Sequence, residues 1–178
     1  MKKDIILSGV GGQGILSIAT VIGQAATKAG LNLKQAEVHG MSQRGGDVQS
    51  DLRLSTEPIC SDLIGRGTAD LIISMEPMEA LRYLPFLAKD GTVVTSSKPF
   101  INIPNYPDEA ALQAELDALP SVVKADVSSN MMLLGAAAKH IGILSPEQLR
   151  EAIAVIFESK GAAVVEANQA AFDQGAAM

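Results

Sequence analysis

The chain has 178 residues, close to the usual size of one compact domain, and nearly half of them are apolar, so a globular fold is expected. Its net charge of −6 argues against broad contact with nucleic acid or an anionic membrane, because both need clustered Lys and Arg. No apolar run approaches the roughly 20 residues that span a bilayer, and a short strand-like run follows the N-terminus where a signal peptide would have a longer apolar region. We therefore expect a cytoplasmic protein.

The first third of the chain predicts a β-α-β unit. Residues 4–8 predict a strand that leads into a glycine-rich loop. Residues 15–29 carry apolar side chains at helical spacing, and Gly30 follows where a left-handed helix cap is common. Residues 31–38 predict a second strand. Residues 47–54 alternate apolar and polar side chains, which is typical of an edge or antiparallel strand.

The remaining chain predicts alternating strands and helices followed by a helical C-terminal third. Continuous apolar runs at 71–73 and 92–95 predict central strands that helices cover on both faces, and Pro77 suits the first turn of a helix over 75–87. The pattern indicates an α/β fold with an open, doubly wound, mainly parallel sheet of Rossmann-like or flavodoxin-like layers, in one domain over residues 1–178. The later predicted elements are a helix over 108–118, a strand at 122–123, an apolar helix over 128–141, and a helix from a capping box at Ser145 to Phe157.

Cysteine and histidine are too few for a metal centre. A lone Cys60 cannot form a disulfide within the chain and cannot supply the thiolates of a zinc site or an iron–sulfur cluster. His39 and His140 are isolated in the sequence. We expect no metal bound by this chain alone, and Cys60 is predicted to be a small buried hydrophobic residue.

The glycine-rich loop after the first strand matches a phosphate-binding pattern. Gly9, Gly11 and Gly14, with Gly12 and Gln13 between them, fit GxGxxG between a strand and a helix. There the glycines bring backbone N–H groups near an anion, and the helix N-terminus adds a partial positive charge. Alternatively, the glycines only permit close packing of the helix on the strand. No Lys-Ser/Thr pair follows Gly14, so ATP hydrolysis is not expected.

A second loop concentrates polar side chains between glycines. Arg44 offers a positive fork suited to a carboxylate or phosphate, and Ser42 and Gln43 can donate or accept hydrogen bonds. Because the two loops follow the first two strands, we expect both at the same carboxyl edge of the sheet. A solvated loop, with Arg44 paired to a nearby carboxylate, is the alternative. The candidate ligand or interface residues here are His39, Gly40, Met41, Ser42, Gln43, Arg44, Gly45 and Gly46.

Several motifs together resemble a known family. GVGGQG at 9–14, EVHGMSQRGG at 37–46 and EPMEALRYLPFL at 76–87, with GTVV farther on, resemble the small (beta) subunit of indolepyruvate:ferredoxin oxidoreductase. They are also similar to the gamma subunit or domain of pyruvate and other 2-oxoacid:ferredoxin oxidoreductases. The resemblance covers nearly the whole chain and adds Asn130, which precedes an apolar helix, to the candidate residues. It departs at Asp51, where the family carries a histidine, and this leaves the 2-oxo acid open.

The resemblance implies a multi-subunit enzyme. Such complexes oxidatively decarboxylate a 2-oxo acid to an acyl-CoA and pass the electrons to ferredoxin. The resemblance implies a large subunit that holds thiamine diphosphate, magnesium and [4Fe-4S] clusters, with coenzyme A as co-substrate. This chain, which lacks the motifs for those cofactors, would be an accessory subunit, inactive alone, acting with indolepyruvate or another aryl 2-oxo acid. No catalytic residue is assigned.

Three hypotheses for function remain open. In the first, the two loops and Asn130 face the large subunit and help to bind coenzyme A or to close the substrate pocket. In the second, the chain is a stand-alone nucleotide-binding oxidoreductase that uses the GVGGQG loop, with Glu37 where an acidic ribose ligand is expected. In the third, the chain is a structural module whose loops only dock, with His39 as a hydrogen-bonding interface residue. Met131–Leu134 are predicted to pack in a core or an interface.

Overall fold

A computed structural model describes residues 1–39, 45–101 and 103–178, without the side chain of His39. These residues form a six-stranded sheet with six α-helices packed on it. The strands are β1 (Lys2–Val10), β2 (Asn32–His39), β3 (Asp47–Ser55), β4 (Ala69–Ser74), β5 (Leu87–Ser96) and β6 (Val122–Ala125). The helices are α1 (Ile15–Lys28), α2 (Pro77–Arg82), α3 (Glu109–Asp117), α4 (Asn130–Ile141), α5 (Pro146–Phe157) and α6 (Ala162–Ala176), with 3-10 turns at Leu84–Phe86 and Glu158–Lys160.

The sheet order is β2-β3-β1-β4-β5-β6. The β1-β4, β4-β5 and β5-β6 pairs are parallel, whereas β3 runs antiparallel to both of its neighbours, β1 and β2. Every strand except β3 therefore points the same way, and the mainly parallel α/β fold is confirmed. The antiparallel prediction for residues 47–54 is also confirmed. The edge alternative is wrong because β2 takes the edge and β3 is inserted between β1 and β2.

The helices cover the two faces of the sheet and create two cores. In β1, Ile5 and Leu7 point to the core formed with α1, α4, α5 and α6, while Ile6 points to a smaller core formed with α2 and α3. Because successive strand residues face opposite sides, a continuous apolar run is what a strand covered on both faces requires. The predicted doubly wound arrangement follows from this packing.

Residues 131–138 of helix α4 are apolar on all sides because this part of the helix lies between the sheet and α6. Met131–Leu134 are buried in this core, as predicted. The two helices cross closely: a Cβ atom on Gly135 would overlap the carbonyl oxygen of Phe172, and one on Gly175 would overlap that of Met132. Glycine at both positions lets the helix backbones touch.

Most predicted helix ends are confirmed. Ser145 and Gln148 form the capping box of α5, and Gly30 takes the left-handed conformation after α1 with a φ of 72°. Helix α2 is shorter than predicted, because it ends at Arg82 and a 3-10 turn follows. Pro85 has no N–H to donate and disfavours helical backbone at the residue before it, so the helix cannot continue to residue 87.

The prediction that Cys60 is buried is wrong, because its side chain is exposed. It lies on the loop between β3 and β4, which is attached to the sheet through the loop backbone. Arg53 donates to the carbonyl oxygens of Ser61 and Leu63 at 3.0 and 3.1 Å. The attachment of this loop to the sheet therefore does not require apolar packing of the Cys60 side chain. Among the helices that the structure describes, none is long and apolar enough to cross a bilayer.

Candidate functional site

The glycine-rich loop after β1 is a closed turn at the carboxyl edge of the sheet. The Val10 N–H donates to Gln13 Oε1 at 2.7 Å, and the Gln13 N–H donates to the Val10 carbonyl at 3.1 Å. A Cβ atom on Gly9 would lie 2.9 Å from both Gln13 Oε1 and Ile15 Cγ1. The absence of a side chain at Gly9 therefore lets the turn and the start of α1 pack on the strand, as the packing alternative expected.

The loop also leaves the N-terminus of α1 without a side-chain cap. Gly14 occupies the N-cap position with a φ of 77°, and as a glycine it has no side chain to accept a hydrogen bond from the first turn. Gly12, at a φ of 102°, is exposed, and a Cβ atom there would meet nothing within 4 Å. An uncapped helix N-terminus carries a partial positive charge. This end of α1 can therefore receive an anionic group.

The two predicted loops meet. The Gly11 N–H donates to the Gly46 carbonyl at 2.8 Å, and the Gly45 N–H approaches the Gly11 carbonyl at 3.4 Å. The ends of β1 and β2, from which the two loops continue, lie at the same carboxyl edge because the two strands point the same way. Gly40, Met41, Ser42, Gln43 and Arg44, together with the His39 side chain, lie outside the described residues.

Asn130 links the glycine-rich loop to α4, although it is 116 residues farther along the chain. Its Nδ2 donates to the Gly14 carbonyl at 3.0 Å, and its Oδ1 accepts from the Met131 N–H at 2.9 Å. The start of α4 is capped by Ser129, whose side chain accepts from the Met132 N–H. The candidate residue contributed by the family resemblance therefore lies beside the glycine-rich loop.

A buried carboxylate that the sequence analysis missed lies next along this edge. Glu76 is fully buried and accepts from the Glu79 N–H at 2.9 Å, from the Phe100 N–H at 3.3 Å, and from the Tyr106 hydroxyl. Burial, together with this bond to Glu76, raises the pKa of Tyr106 above its usual range, which keeps the hydroxyl a donor. The glutamate thereby joins the start of α2 to the loop after β5. The Glu-Pro pair was a sequence signal for a helix start, but glutamate is not among the preferred capping residues.

The same α2 segment buries a second carboxylate. Glu79 accepts from Arg82 through both oxygens, at 2.8 and 3.1 Å. Burial nevertheless raises the pKa of Glu79, because the arginine offsets only part of the desolvation. The charged residues of the EPMEALRYLPFL motif thus hold α2 in place.

A row of buried hydroxyl groups lies beneath α2. Ser8, Ser74 and Thr95 are neighbours on three adjacent parallel strands and are fully buried. The Ser74 hydroxyl donates to the Glu76 carbonyl at 2.7 Å. The Thr95 hydroxyl has no hydrogen-bond partner among the described residues.

The sheet order weighs against dinucleotide binding. In the dinucleotide-binding fold, the acidic ribose ligand ends the strand that neighbours β1. Here β3 separates β2 from β1, so Glu37 is two strands away, roughly 10 Å in the sheet. Glu37 is exposed and accepts from the Gln35 amide at 2.6 Å.

The possible ligand side chains of the described residues do not fit a resident metal ion. In the described part of the chain, no group of three or more His, Cys, Asp or Glu side chains could hold a metal ion. Cys60 is the one cysteine of the sequence, and a [4Fe-4S] cluster needs four thiolates. The chain therefore offers no site for such a cluster.

Comparison with known proteins gives consistent results. Residues 4–178 match the model of the family described as pyruvate ferredoxin/flavodoxin oxidoreductase. The chain is 34% identical to indolepyruvate oxidoreductase subunit IorB of Thermococcus kodakarensis, covering 98% of this chain and 95% of that protein.

Two solved structures share the fold. The pyruvate oxidoreductase subunit PORC of Thermotoga maritima superposes with a TM-score of 0.74 at 18% identity, over 98% of this chain and 94% of that one. A 2-oxoglutarate:ferredoxin oxidoreductase chain from Magnetococcus marinus, with 2-oxoglutarate, coenzyme A and succinyl-CoA bound, also gives 0.74 at 23% identity. This likeness covers 99% of this chain but only 30% of the Magnetococcus chain. From the match over residues 4–178 and the near-complete likeness to subunit IorB, the chain belongs to the pyruvate ferredoxin/flavodoxin oxidoreductase family, as its gamma-type member.

Proposed function

We propose that this chain is the accessory subunit of a 2-oxoacid:ferredoxin oxidoreductase and acts as one domain over residues 1–178. A larger subunit would hold thiamine diphosphate, magnesium and the [4Fe-4S] clusters. The complex would convert indolepyruvate or another aryl 2-oxo acid, with coenzyme A, to an acyl-CoA and deliver electrons to ferredoxin. The name of the Thermococcus relative supports the substrate. An exposed, unpaired Cys60 is compatible with a reducing cytoplasm.

The observation that carries the proposal is the meeting of the two loops with Asn130. The bonds Gly11–Gly46 and Asn130–Gly14 join segments that are far apart in the chain into one surface at the carboxyl edge. Open α/β sheets bind ligands at this edge. The uncapped N-terminus of α1 lies there and suits a phosphate of coenzyme A or the carboxylate of a substrate.

This chain's part would be to bind and to enclose, not to transfer electrons. Its residues would orient an anionic group at the glycine-rich loop and keep water from the partner's reaction centre. No step of the chemistry is assigned to a side chain of this subunit.

Co-expression with the large subunit from the same source tests the proposal. The complex should reduce a viologen dye only when both a 2-oxo acid and coenzyme A are present. Gly12→Ala should raise the KM for coenzyme A or reduce kcat, because a side chain and strained backbone would enter the binding surface.

Gly30→Ala is the matched control. Gly30 also has a positive φ and open space around it, but it lies at the opposite end of α1. Loss of activity in Gly12→Ala with near-normal activity in Gly30→Ala supports the proposal. Equal kinetics in both variants, with Arg44→Ala also unchanged, would remove the two loops from the active surface.

The stand-alone nucleotide-dependent oxidoreductase is tested separately. The isolated chain is titrated with nicotinamide and flavin nucleotides while its melting temperature is followed, because ligand binding raises that temperature. We expect no shift, since Glu37 is displaced from the ribose position. A clear shift with a nicotinamide nucleotide would favour the alternative.

A further inference from the structure

Apart from the chain ends, the described residues include seven exposed large apolar side chains, and five of them lie on elements that reach the carboxyl edge of the sheet. An exposed apolar patch of this kind marks a binding surface. The edge runs across four strand spacings from β2 to β5, which is roughly 20 Å. These five residues are called the edge patch. They are Leu16 at the start of α1, Val38 near the end of β2, and Phe100, Ile101 and Ile103 on the loop after β5.

Hydrogen bonds anchor both ends of the loop that carries three of these residues. The Phe100 N–H and the Tyr106 hydroxyl both donate to buried Glu76. At its base, the Gln113 amide of α3 donates to the Ser97 carbonyl at 3.1 Å. A loop fixed before binding loses little conformational entropy when it binds. A loop whose ends are anchored in this way fits a preformed contact surface.

Of the described residues around the edge patch, the charged ones are mainly acidic. Among the described residues, the exposed ones are Glu37, Asp47, Asp108, Glu109, Asp126 and Lys98, and Lys98 is paired with Asp126 at 2.6 Å. Two copies of this surface would bring carboxylates against carboxylates, which opposes association. A partner surface with an apolar centre and a rim of Lys and Arg is complementary.

We propose that the edge patch is the surface on which the cofactor-carrying subunit docks, with Phe100 and Ile101 as contact residues and Glu76 as the residue that positions their loop. This inference rests on the proposed function and names its contact surface.

The first experiment measures the dissociation constant between this chain and the large subunit from the same source. Phe100→Ser/Ile101→Ser should raise it about 30-fold or more, as expected when two large apolar contact residues are truncated. Leu63→Ser/Val155→Ser is the matched control, because these side chains are 61% and 48% exposed, against 69% for Ile101 and 48% for Phe100. The control should change the constant by less than about threefold.

The second experiment tests the positioning role of Glu76. Tyr106→Phe removes a donor to the carboxylate and should speed hydrogen exchange at the Phe100 amide in the free chain. It should weaken association by about three- to tenfold, because the loop must then be ordered on binding. Tyr83→Phe removes the same group from the end of α2 and should leave both quantities near wild type.

The outcomes separate this inference from the proposed function. If the wild-type chain binds the large subunit and the two double variants bind it equally well, the docking surface is wrong while the accessory function stands. If the wild-type chain does not bind the large subunit, both fail. Self-association of the isolated chain that Phe100→Ser/Ile101→Ser abolishes would assign the patch to a second copy and overturn the inference.

Discussion

Replacing Gly14 by alanine should destabilise the fold in two separable ways. Gly14 has a φ of 77°, and left-handed backbone costs a non-glycine residue about 1–2 kcal/mol. The new Cβ would also overlap the Asn130 amide nitrogen and push it off the Gly14 carbonyl, which it now meets at 3.0 Å. Loss of that hydrogen bond adds about 1 kcal/mol. The expected total is about 2–3 kcal/mol of unfolding free energy.

Urea denaturation of the isolated chain measures both contributions. Gly30→Ala, at a φ of 72° with open space around it, reports the backbone cost alone and should be less destabilising by about 1 kcal/mol. In a double-mutant cycle, Gly14→Ala and Asn130→Ala should be less than additive by a similar amount, because either change breaks the same bond. Equal effects of Gly14→Ala and Gly30→Ala, or strict additivity in the cycle, would refute the reasoning.

Three further predictions concern buried groups. Gly135→Ala should destabilise the fold by about 3 kcal/mol or more, because its Cβ would overlap the Phe172 carbonyl. Gly65→Ala is the control and should change the stability little, because the nearest contact of its Cβ is an ordinary 3.6 Å. Similar melting temperatures of the two variants would contradict the close helix crossing. Thr95→Val should be neutral or stabilising by up to about 1 kcal/mol in urea denaturation, since it removes a buried hydroxyl that has no partner among the described residues. A clear loss of stability would reveal a partner for that hydroxyl. Burial, followed by nearby lysines, lowers the pKa of His140 below 6.5. The unfolded chain therefore binds the proton more readily, and the stability of the fold falls as the pH drops through that value. His140→Gln should flatten this dependence between about pH 7.5 and pH 5.5, and an unchanged slope would exclude the histidine as its cause.

Local patterns predicted most elements of the fold, because each depends on nearby residues. The buried strands follow from continuous apolar runs, and the capping box at Ser145 follows from side chains three residues apart. The position of β3 could not be predicted, since alternation states which face is buried but not which strand lies alongside.

A long-range ion pair accompanies the placement of β3. Arg53 of β3 donates to buried Asp4 of β1 at 2.9 Å. Burial opposes ionisation of Asp4, but the hydrogen bonds from Arg53 and Lys2 outweigh it and lower the pKa of the carboxyl. Asp4 appeared in the sequence only as the start of an apolar strand. Its role as the buried partner of Arg53, 49 residues away, is visible only in the folded sheet.

The candidate site also has a part that local sequence predicted and a part that depends on long-range contacts. The glycine-rich loop was predictable because its backbone geometry is coded within a few residues. The role of Asn130 beside Gly14 was expected only from the family resemblance, and the link from Glu76 to Tyr106 was not expected at all. Both depend on contacts between segments that become neighbours only in the folded sheet.

The central claim is that this chain acts only as part of a larger enzyme. The most direct measurement titrates the isolated large subunit with this chain and follows viologen reduction in the presence of a 2-oxo acid and coenzyme A. We expect no turnover by this chain alone and activity that rises with added chain until the two subunits are present in equal amounts. Turnover by this chain alone, or activity of the large subunit that its addition does not change, would contradict the claim.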